Sequence, residues 1–299
     1  MIYAGRNGAS RHKVHILKKL KYTFDTEIQF SEPVYEHTFV LRCQPHKRPG
    51  IRVLESNLIV EPDMRYMRQI DSFGNQLAIG REPNPHTHMR YCSSGTVEID
   101  FSRTLAAGAE AAGTAATATP GSWDAAHAVY RYPSELTREN DALSAFIHEN
   151  GAEVAALAAN QQNETLVDAI ARLSSTVYEY MDYAPGTTHV RTSAAEAFAA
   201  RAGVCQDFSH VLICALRSCG VPARYVSGLA LGEGQTHAWV EAFVNGGWTG
   251  FDPTRNQRVD ETYLPLAVGR DWIDCPIEQG SFFGFANQTQ TVYMTVTEI

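Results

Sequence analysis

Two hydrophobic periods divide the chain. From Val14 to about Arg103, apolar residues alternate with polar ones or gather in short β-branched runs, at Lys21–Phe24, Glu36–Leu41, Leu54–Val60, Met64–Met67 and Gly95–Asp100. Pro, Gly and Asn bound these runs, which predict short strands and a small β-sandwich over residues 14–103. An Ala/Gly/Thr-rich stretch follows at 104–121, with almost no large apolar side chain to bury, and reads as a linker or exposed loop. Beyond it the period lengthens. Thr137–Asn150 and Glu153–Gln162 read as Ala-rich helices, and Glu164–Asp182 carries Leu166, Ile170, Leu173, Val177 and Met181 on one stripe. Ser193 with Glu196 three residues later forms a capping-box pattern for a helix ending near Ala202-Gly203. Gln206–Arg217 is helical again, through Phe208, Val211, Leu212, Ala215 and Leu216. Period two then returns: Ala238, Val240 and Ala242 alternate with Trp239, Glu241 and Phe243, Gly246-Gly247 signals a hairpin, and Trp248–Phe251 is the return strand. Helices before an antiparallel sheet make residues 122–299 an α+β domain.

At 299 residues and 44% hydrophobic content, the chain is long enough for two cores. Its formal charge of -8 argues against a nucleic-acid partner. Basic residues near the start (Arg6, Arg11, Lys13, Lys18, Lys19, Lys21) precede no continuous apolar run, so neither a secretory leader nor a membrane span is expected, and the expected compartment is the cytoplasm. Six cysteines (Cys43, Cys92, Cys205, Cys214, Cys219, Cys275) contain no C-x-x-C pair, which argues for free thiols over a zinc knuckle or disulfide scaffold. Cys214 and Cys219 read as packing residues. His86 and His88 lie near Cys92 in what reads as a Pro-rich loop with no fourth ligand, so no metal or other cofactor is expected.

One cysteine differs from the rest. Cys205 opens the Gln206–Arg217 helix just after Gly203, where unpaired N–H groups and the helix dipole favour an attacking thiolate. His237 starts one strand and Asp252 ends the next, so adjacent pairing brings imidazole and carboxylate within reach. With Asp252 holding one ring nitrogen, the other faces Cys205 as general base and acid. Glu241 alternates with the core face and is available to orient Arg224 or to meet solvent. Arg270-Asp271 and Asp274 read as a salt-bridged loop. Trp239 and Trp248 are candidates for lining the cleft, or for filling the core of a half-buried sheet.

From about Thr187 to Gly284 the chain resembles the bacterial transglutaminase-like proteins, within the papain-like superfamily that also holds animal transglutaminases and peptide N-glycanases. The matching segments are Arg201-Ala-Gly-Val-Cys-Gln-Asp-Phe208, Gly220-Val-Pro-Ala-Arg-Tyr-Val-Ser-Gly228, His237-Ala-Trp-Val-Glu241, Gly247-Trp248, Asp252-Pro-Thr254 and Gly269-Arg-Asp271. Tyr22–Pro45 and the turn Asp71-Ser-Phe-Gly-Asn75 also resemble the family's bacterial N-terminal domain. The resemblance implies a β-sandwich-like domain followed by a papain-like transglutaminase core, with Cys205, His237 and Asp252 as catalytic triad. It implies attack on amide bonds of peptides or proteins through a thioester, which water resolves by hydrolysis or an amine by acyl transfer. The Cys205 backbone N–H is one expected oxyanion donor and Tyr183 a candidate second. Animal transglutaminases place an indole upstream of the cysteine, whereas no Trp lies between Trp123 and Cys205 here. That favours hydrolysis over true protein cross-linking. A folded peptide-binding module without activity is the reading from another class.

Overall fold

A computed structural model describes residues 17–100, 125–160 and 163–299. The linker expected at 104–121 and the basic residues before Leu17 lie outside the described residues.

The chain begins with five strands, β1 (Lys18–Leu41), β2 (Ile51–Glu61), β3 (Tyr66–Ile70), β4 (Gln76–Glu82) and β5 (His86–Ile99). The two runs expected at 21–24 and 36–41 are one strand. Along its first half Leu20, Tyr22, Phe24, Thr26, Ile28 and Phe30 are buried, and along its second half His37, Phe39 and Leu41. The buried parity changes where the pairing slips between Gln29 and Val34 and where Glu36 takes a positive φ of 52°. A bulge of this kind bends a strand and re-aims its side chains, so Pro33 sits in irregular backbone and breaks no ladder.

Helices α1 (Ala125–Ala128), α2 (Asp141–Asn150), α3 (Ala152–Ala159) and α4 (Asn163–Tyr180) follow, then β6 (Asp182–Tyr183), α5 (Ala194–Ala200), β7 (Ala202–Gly203) and α6 (Cys205–Ser218). Ser193 and Glu196 form the reciprocal cap at the start of α5: the Ser193 N–H donates to the Glu196 carboxylate at 2.8 Å, and the Glu196 N–H to the Ser193 hydroxyl at 3.3 Å. The remaining strands are β8 (Ala223–Ala230), β9 (Gly232–Gly234), β10 (His237–Val244), β11 (Gly247–Asp252), β12 (Gln257–Arg258), β13 (Tyr263–Gly269), β14 (Glu278–Phe283) and β15 (Gln288–Glu298). The β10–β11 turn is Asn245-Gly246, one residue earlier than the Gly246-Gly247 signal, with φ of 55° and 75°. Two consecutive positive φ angles are what a two-residue hairpin of this twist requires.

Strands β12-β11-β10-β8-β13 make the central antiparallel sheet. One face, with Ala238, Val240, Ala242, Val244 and Phe251, packs on the helices through Phe208, Val211, Leu212 and Leu216 of α6. The other face meets the N-terminal sandwich, whose core includes Leu229, Leu264 and Leu266 of the central sheet. The sandwich takes strands from both ends of the chain. In one half the order is β2-β5-β1-β15-β9; in the other, the second half of β1 pairs with β4 and β14. Thus residues 278–298, which the sequence pattern groups with the second domain, complete the first sheet. The short β9 leaves the central sheet after β8, pairs with β15, and returns as β10.

Polar contacts fix the two layers. Asn75 is fully buried; its side chain accepts from the Val268 N–H at 2.7 Å and donates to the Val268 carbonyl at 2.8 Å, standing in for a strand partner beside the β13 bulge. Glu241 does more than orient Arg224. It sits between Arg224, its cross-strand neighbour, and Arg48 from the sandwich, both guanidinium groups at 2.7 Å. Burial alone would push the Glu241 carboxyl up, but the two cations hold it at about 2.

Because that value lies below the carboxyl's ordinary 4.5, the ion cluster stabilises the fold fully above the unfolded-state pKa and loses this contribution as pH falls through about 2. Replacing Glu241→Gln removes the anion that Arg48 and Arg224 share and should cost roughly 3–5 kcal/mol at pH 7. Urea denaturation measures it; a loss under about 1 kcal/mol contradicts this account.

Candidate active site

Helix α6 starts where two short strands end. The β6 pair Asp182 and Tyr183 runs parallel to Ala202 and Gly203 of β7, which sets Tyr183 beside the residue two before Cys205. The Val204 N–H donates to the Asp207 carboxylate at 2.8 Å, and the Thr188 hydroxyl donates to the same oxygen at 2.7 Å. Asp207 lies so close over Gly203 that a Cβ there would fall 2.5 Å from its carboxylate oxygen, which explains the glycine. An acidic residue in the first turn also matches the positive end of the helix. These contacts fix the first turn, and with it the backbone of Cys205.

His237 and Asp252 occupy one face of β10 and β11. In the register Trp239 falls opposite Asp252, so His237 is its diagonal neighbour, and the His237 Nε2 lies 2.7 Å from Asp252 Oδ2. The carboxylate is completely buried. It accepts in addition from the Tyr263 hydroxyl at 2.7 Å and from the backbone N–H groups of Thr254 and Arg255 at 3.0 and 3.1 Å. Burial pushes the Asp252 carboxyl up, yet the hydrogen bond and charge of His237 and the other donors hold it below the usual range. Burial likewise lowers the imidazole, but the Asp252 hydrogen bond, interaction with the Cys205 thiol and the Asp252 charge raise it to about 9. At that value the ring carries its proton at neutral pH, and with Nε2 on the carboxylate, Nδ1 is free of Asp252.

Of the six free cysteines, only Cys92 and Cys205 escape full burial. Burial raises the thiols of Cys43 and Cys214 to about 12 and that of Cys219 to about 11, and it raises Cys92 as well.

The other singled-out residues fall in several places. Tyr183 is 59% exposed and within electrostatic reach of Cys205, which helps raise its phenol after burial, the larger cause. Trp239 is 0% exposed and packs edge-on against Tyr263, so it is core and lines no cleft. Trp248 pairs with Phe243, six residues along β10 from His237, or about 20 Å at 3.3 Å per residue. Its ring stacks under the Arg224 guanidinium at 4.1 Å, far from the thiol. Arg270 and Asp274 form the expected ion pair at 2.8 Å, whereas Asp271 accepts backbone N–H groups from Leu136 and Ile273. His86 and His88 stand on strand β5, since Pro83 and Pro85 precede the strand without interrupting it, and the His86 ring meets His37 at 3.0 Å.

Neither Tyr263 nor Asp207 was singled out by the sequence pattern as lying beside the site. Tyr263 lies eleven residues beyond Asp252 in a separate apolar run, and only the sheet puts its hydroxyl on the carboxylate. For Asp207 a signal existed, an acidic third residue in a helix whose cap cannot accept a hydrogen bond.

Comparison with known proteins agrees with this architecture. The model of the transglutaminase-like superfamily matches residues 153–253, ending one residue past Asp252, and that of the bacterial transglutaminase-like N-terminal region matches 20–98. The chain belongs to the transglutaminase-like superfamily and carries its bacterial N-terminal region. It is 28% identical to the uncharacterized protein ML0607 of Mycobacterium leprae, over 94% of this chain and 99% of that one. It is 35% identical to the uncharacterized protein Mb2599c of Mycobacterium bovis over 40% of this chain and 43% of that one. The crystal structure of a "putative cysteine protease" from Cytophaga hutchinsonii superposes with a TM-score of 0.74 at 22% identity, covering 95% of this chain and 91% of that one, and so shares the fold.

The His237 charge depends on its carboxylate partner. In Asp252→Asn the burial that opposes protonation is left with less to offset it, and the imidazole pKa should fall from about 9 to 6.5 or below. NMR titration of the His237 ring measures this; an unchanged value refutes the assignment of Asp252 as its partner. As the folded value lies above the unfolded one, this histidine stabilises the fold below about pH 6.5 and ceases to as pH rises through 9.

Proposed function

We propose that the protein is a cysteine enzyme that opens amide bonds of peptides or proteins, with Cys205 as nucleophile, His237 as general acid and base, and Asp252 as the group that orients and charges the imidazole. The observation that carries this reading is the His237 Nε2 fixed at 2.7 Å from a buried carboxylate, with that carboxylate and a thiol at a helix N-terminus both raising the imidazole. An imidazolium beside a cysteine is the arrangement in which thiolate attack is favoured.

The chemistry follows in two halves. The Cys205 thiolate attacks the amide carbon, and negative charge gathers on the carbonyl oxygen. The Cys205 backbone N–H and, in this reading, the Tyr183 hydroxyl donate to that oxygen. His237 gives its proton to the departing amine and a thioester remains. Neutral His237 then takes a proton from water, whose attack releases the acid and returns the thiolate. We favour water over an amine as acceptor. An amine must compete with water at about 55 M and so needs a walled, dry approach, and neither of the indoles expected to line the cleft supplies a wall, since Trp239 is in the core and Trp248 lies distant along the sheet. The six free thiols suit a reducing compartment, and we place the enzyme in the cytoplasm.

Iodoacetamide mapped by mass spectrometry should label Cys205 ahead of Cys92 at pH 7, and His237→Ala should slow that labelling. Equal rates at the two thiols favour the binding module. With a glutamine-bearing peptide library and excess primary amine, cleaved or deamidated peptide should exceed amine-coupled product, while dominant coupling would make the protein a transglutaminase. Cys205→Ala should reduce kcat/KM by at least about 10³-fold.

Tyr183→Phe should lower kcat by about 10²-fold with little change in KM if its hydroxyl meets the oxyanion. An unchanged kcat removes Tyr183 from the mechanism.

A further inference from the structure

A cavity of about 450 Å³ lies where the N-terminal sandwich meets the catalytic layer. This is within the usual range of ~300–1,000 Å³ for small-ligand sites. Both halves of the sandwich line it, and so do residues beside the proposed nucleophile and base. Thr236, which immediately precedes His237, is on its wall. So is Val190, whose carbonyl accepts the side-chain amide of Gln206, the neighbour of Cys205. Val190 is 50% exposed, so that side of the cavity meets solvent.

The wall carries one carboxylate, Glu278. It stands on β14, opposite Leu41 of β1, and its Oε2 accepts from the Tyr91 hydroxyl at 3.0 Å and from the Gln290 amide at 2.9 Å. Among the described residues no donor reaches Oε1 and no Lys, Arg or His pairs with this group. His37, also on the wall, is lowered to about 4 by burial and by the neighbouring His86, and so is neutral at pH 7. Phe24, Tyr91, Trp272 and Phe282 are on the same wall, with the aliphatic Ile277 and Val292. A half-buried carboxylate with its second oxygen unclaimed, set among aromatic faces, presents negative potential to whatever enters.

We propose that this cavity is a specificity subsite for a cationic side chain, of the lysine or arginine class, on the peptide whose amide bond Cys205 attacks, and that Glu278 is its anionic partner. The inference rests on the amide-cleaving reading above and gives it a substrate class. The cation pairs with Glu278 Oε1 while the aromatic walls cover the aliphatic stem. The N-terminal domain thereby contributes directly to substrate choice. Burial raises the Glu278 carboxyl, with Tyr91 and Gln290 opposing, and an arriving cation favours its ionised form.

The test reads binding and turnover separately. Binding of Nα-acetyl-lysinamide and its neutral counterpart Nα-acetyl-norleucinamide to the full-length Cys205→Ala protein is followed by NMR titration. The cationic probe should bind at least about 10-fold tighter, and the ratio should collapse toward one in Cys205→Ala/Glu278→Gln. Glu278→Asp, which keeps the charge, should retain most of the preference. In the active enzyme, kcat/KM for two peptides differing only in lysine or norleucine beside the scissile amide should show the same ratio and the same response to Glu278→Gln. Equal binding of the two probes, or a preference that survives Glu278→Gln, overturns the subsite. Charge-selective binding with no turnover upholds it and sinks the catalytic reading. Turnover without charge preference leaves the catalytic reading and overturns the subsite.

Discussion

The buried Asp252 carboxylate is the group on which the site's arrangement depends. A lone carboxylate with no solvent exposure would take up a proton or unfold its surroundings, because desolvation penalises the charge heavily. Here four donors surround it: the His237 ring, the Tyr263 hydroxyl and two backbone N–H groups that follow it in the chain. The same bonds that make the charge tolerable fix the imidazole's position and charge. Rigidity and electrostatics therefore have one cause, and the pleat of two adjacent strands supplies it.

The site is also hemmed in by a domain that contributes none of its three proposed catalytic residues. The chain crosses into the sandwich as β9 immediately before it returns to begin β10 at His237, and β9 is held there by β15 from the far end of the chain. Asn75 replaces a missing strand partner at Val268, and Arg48 closes the ion cluster at Glu241. Apolar residues of the two layers share one core. A seam this continuous holds the sandwich wall at a fixed place beside Thr236 at the start of β10, a precondition for any recognition by that wall.

Local pattern carried the order of elements well where a single segment decides its own structure. The α4 stripe, the Ser193–Glu196 cap and the β10 alternation each rest on residues a few positions apart, and each element stands within a few residues of where the pattern put it. It failed where partners decide. Strand β1 was broken in two at Pro33, because a proline reads as a stop unless a bulge accommodates it. Strand β4 and the first half of β5 were not anticipated, and the closing strands β14 and β15 carry no mark that they belong with β1, some 250 residues earlier.

By itself the sequence determined the family and the α+β class, and it proposed Cys205, His237 and Asp252 as a group, because each lies in a short contiguous motif whose residue types and order suggest the chemistry. Only the tertiary structure decided which groups surround them. Tyr263 reached Asp252, Trp239 went into the core, Trp248 went to the far end of the hairpin, and Glu278 came to stand across the domain seam. Periodicity tells which face of a strand is buried but not what buries it. That depends on strand order, register and the path of chain ends, which are set by packing between segments distant in sequence and leave no local trace.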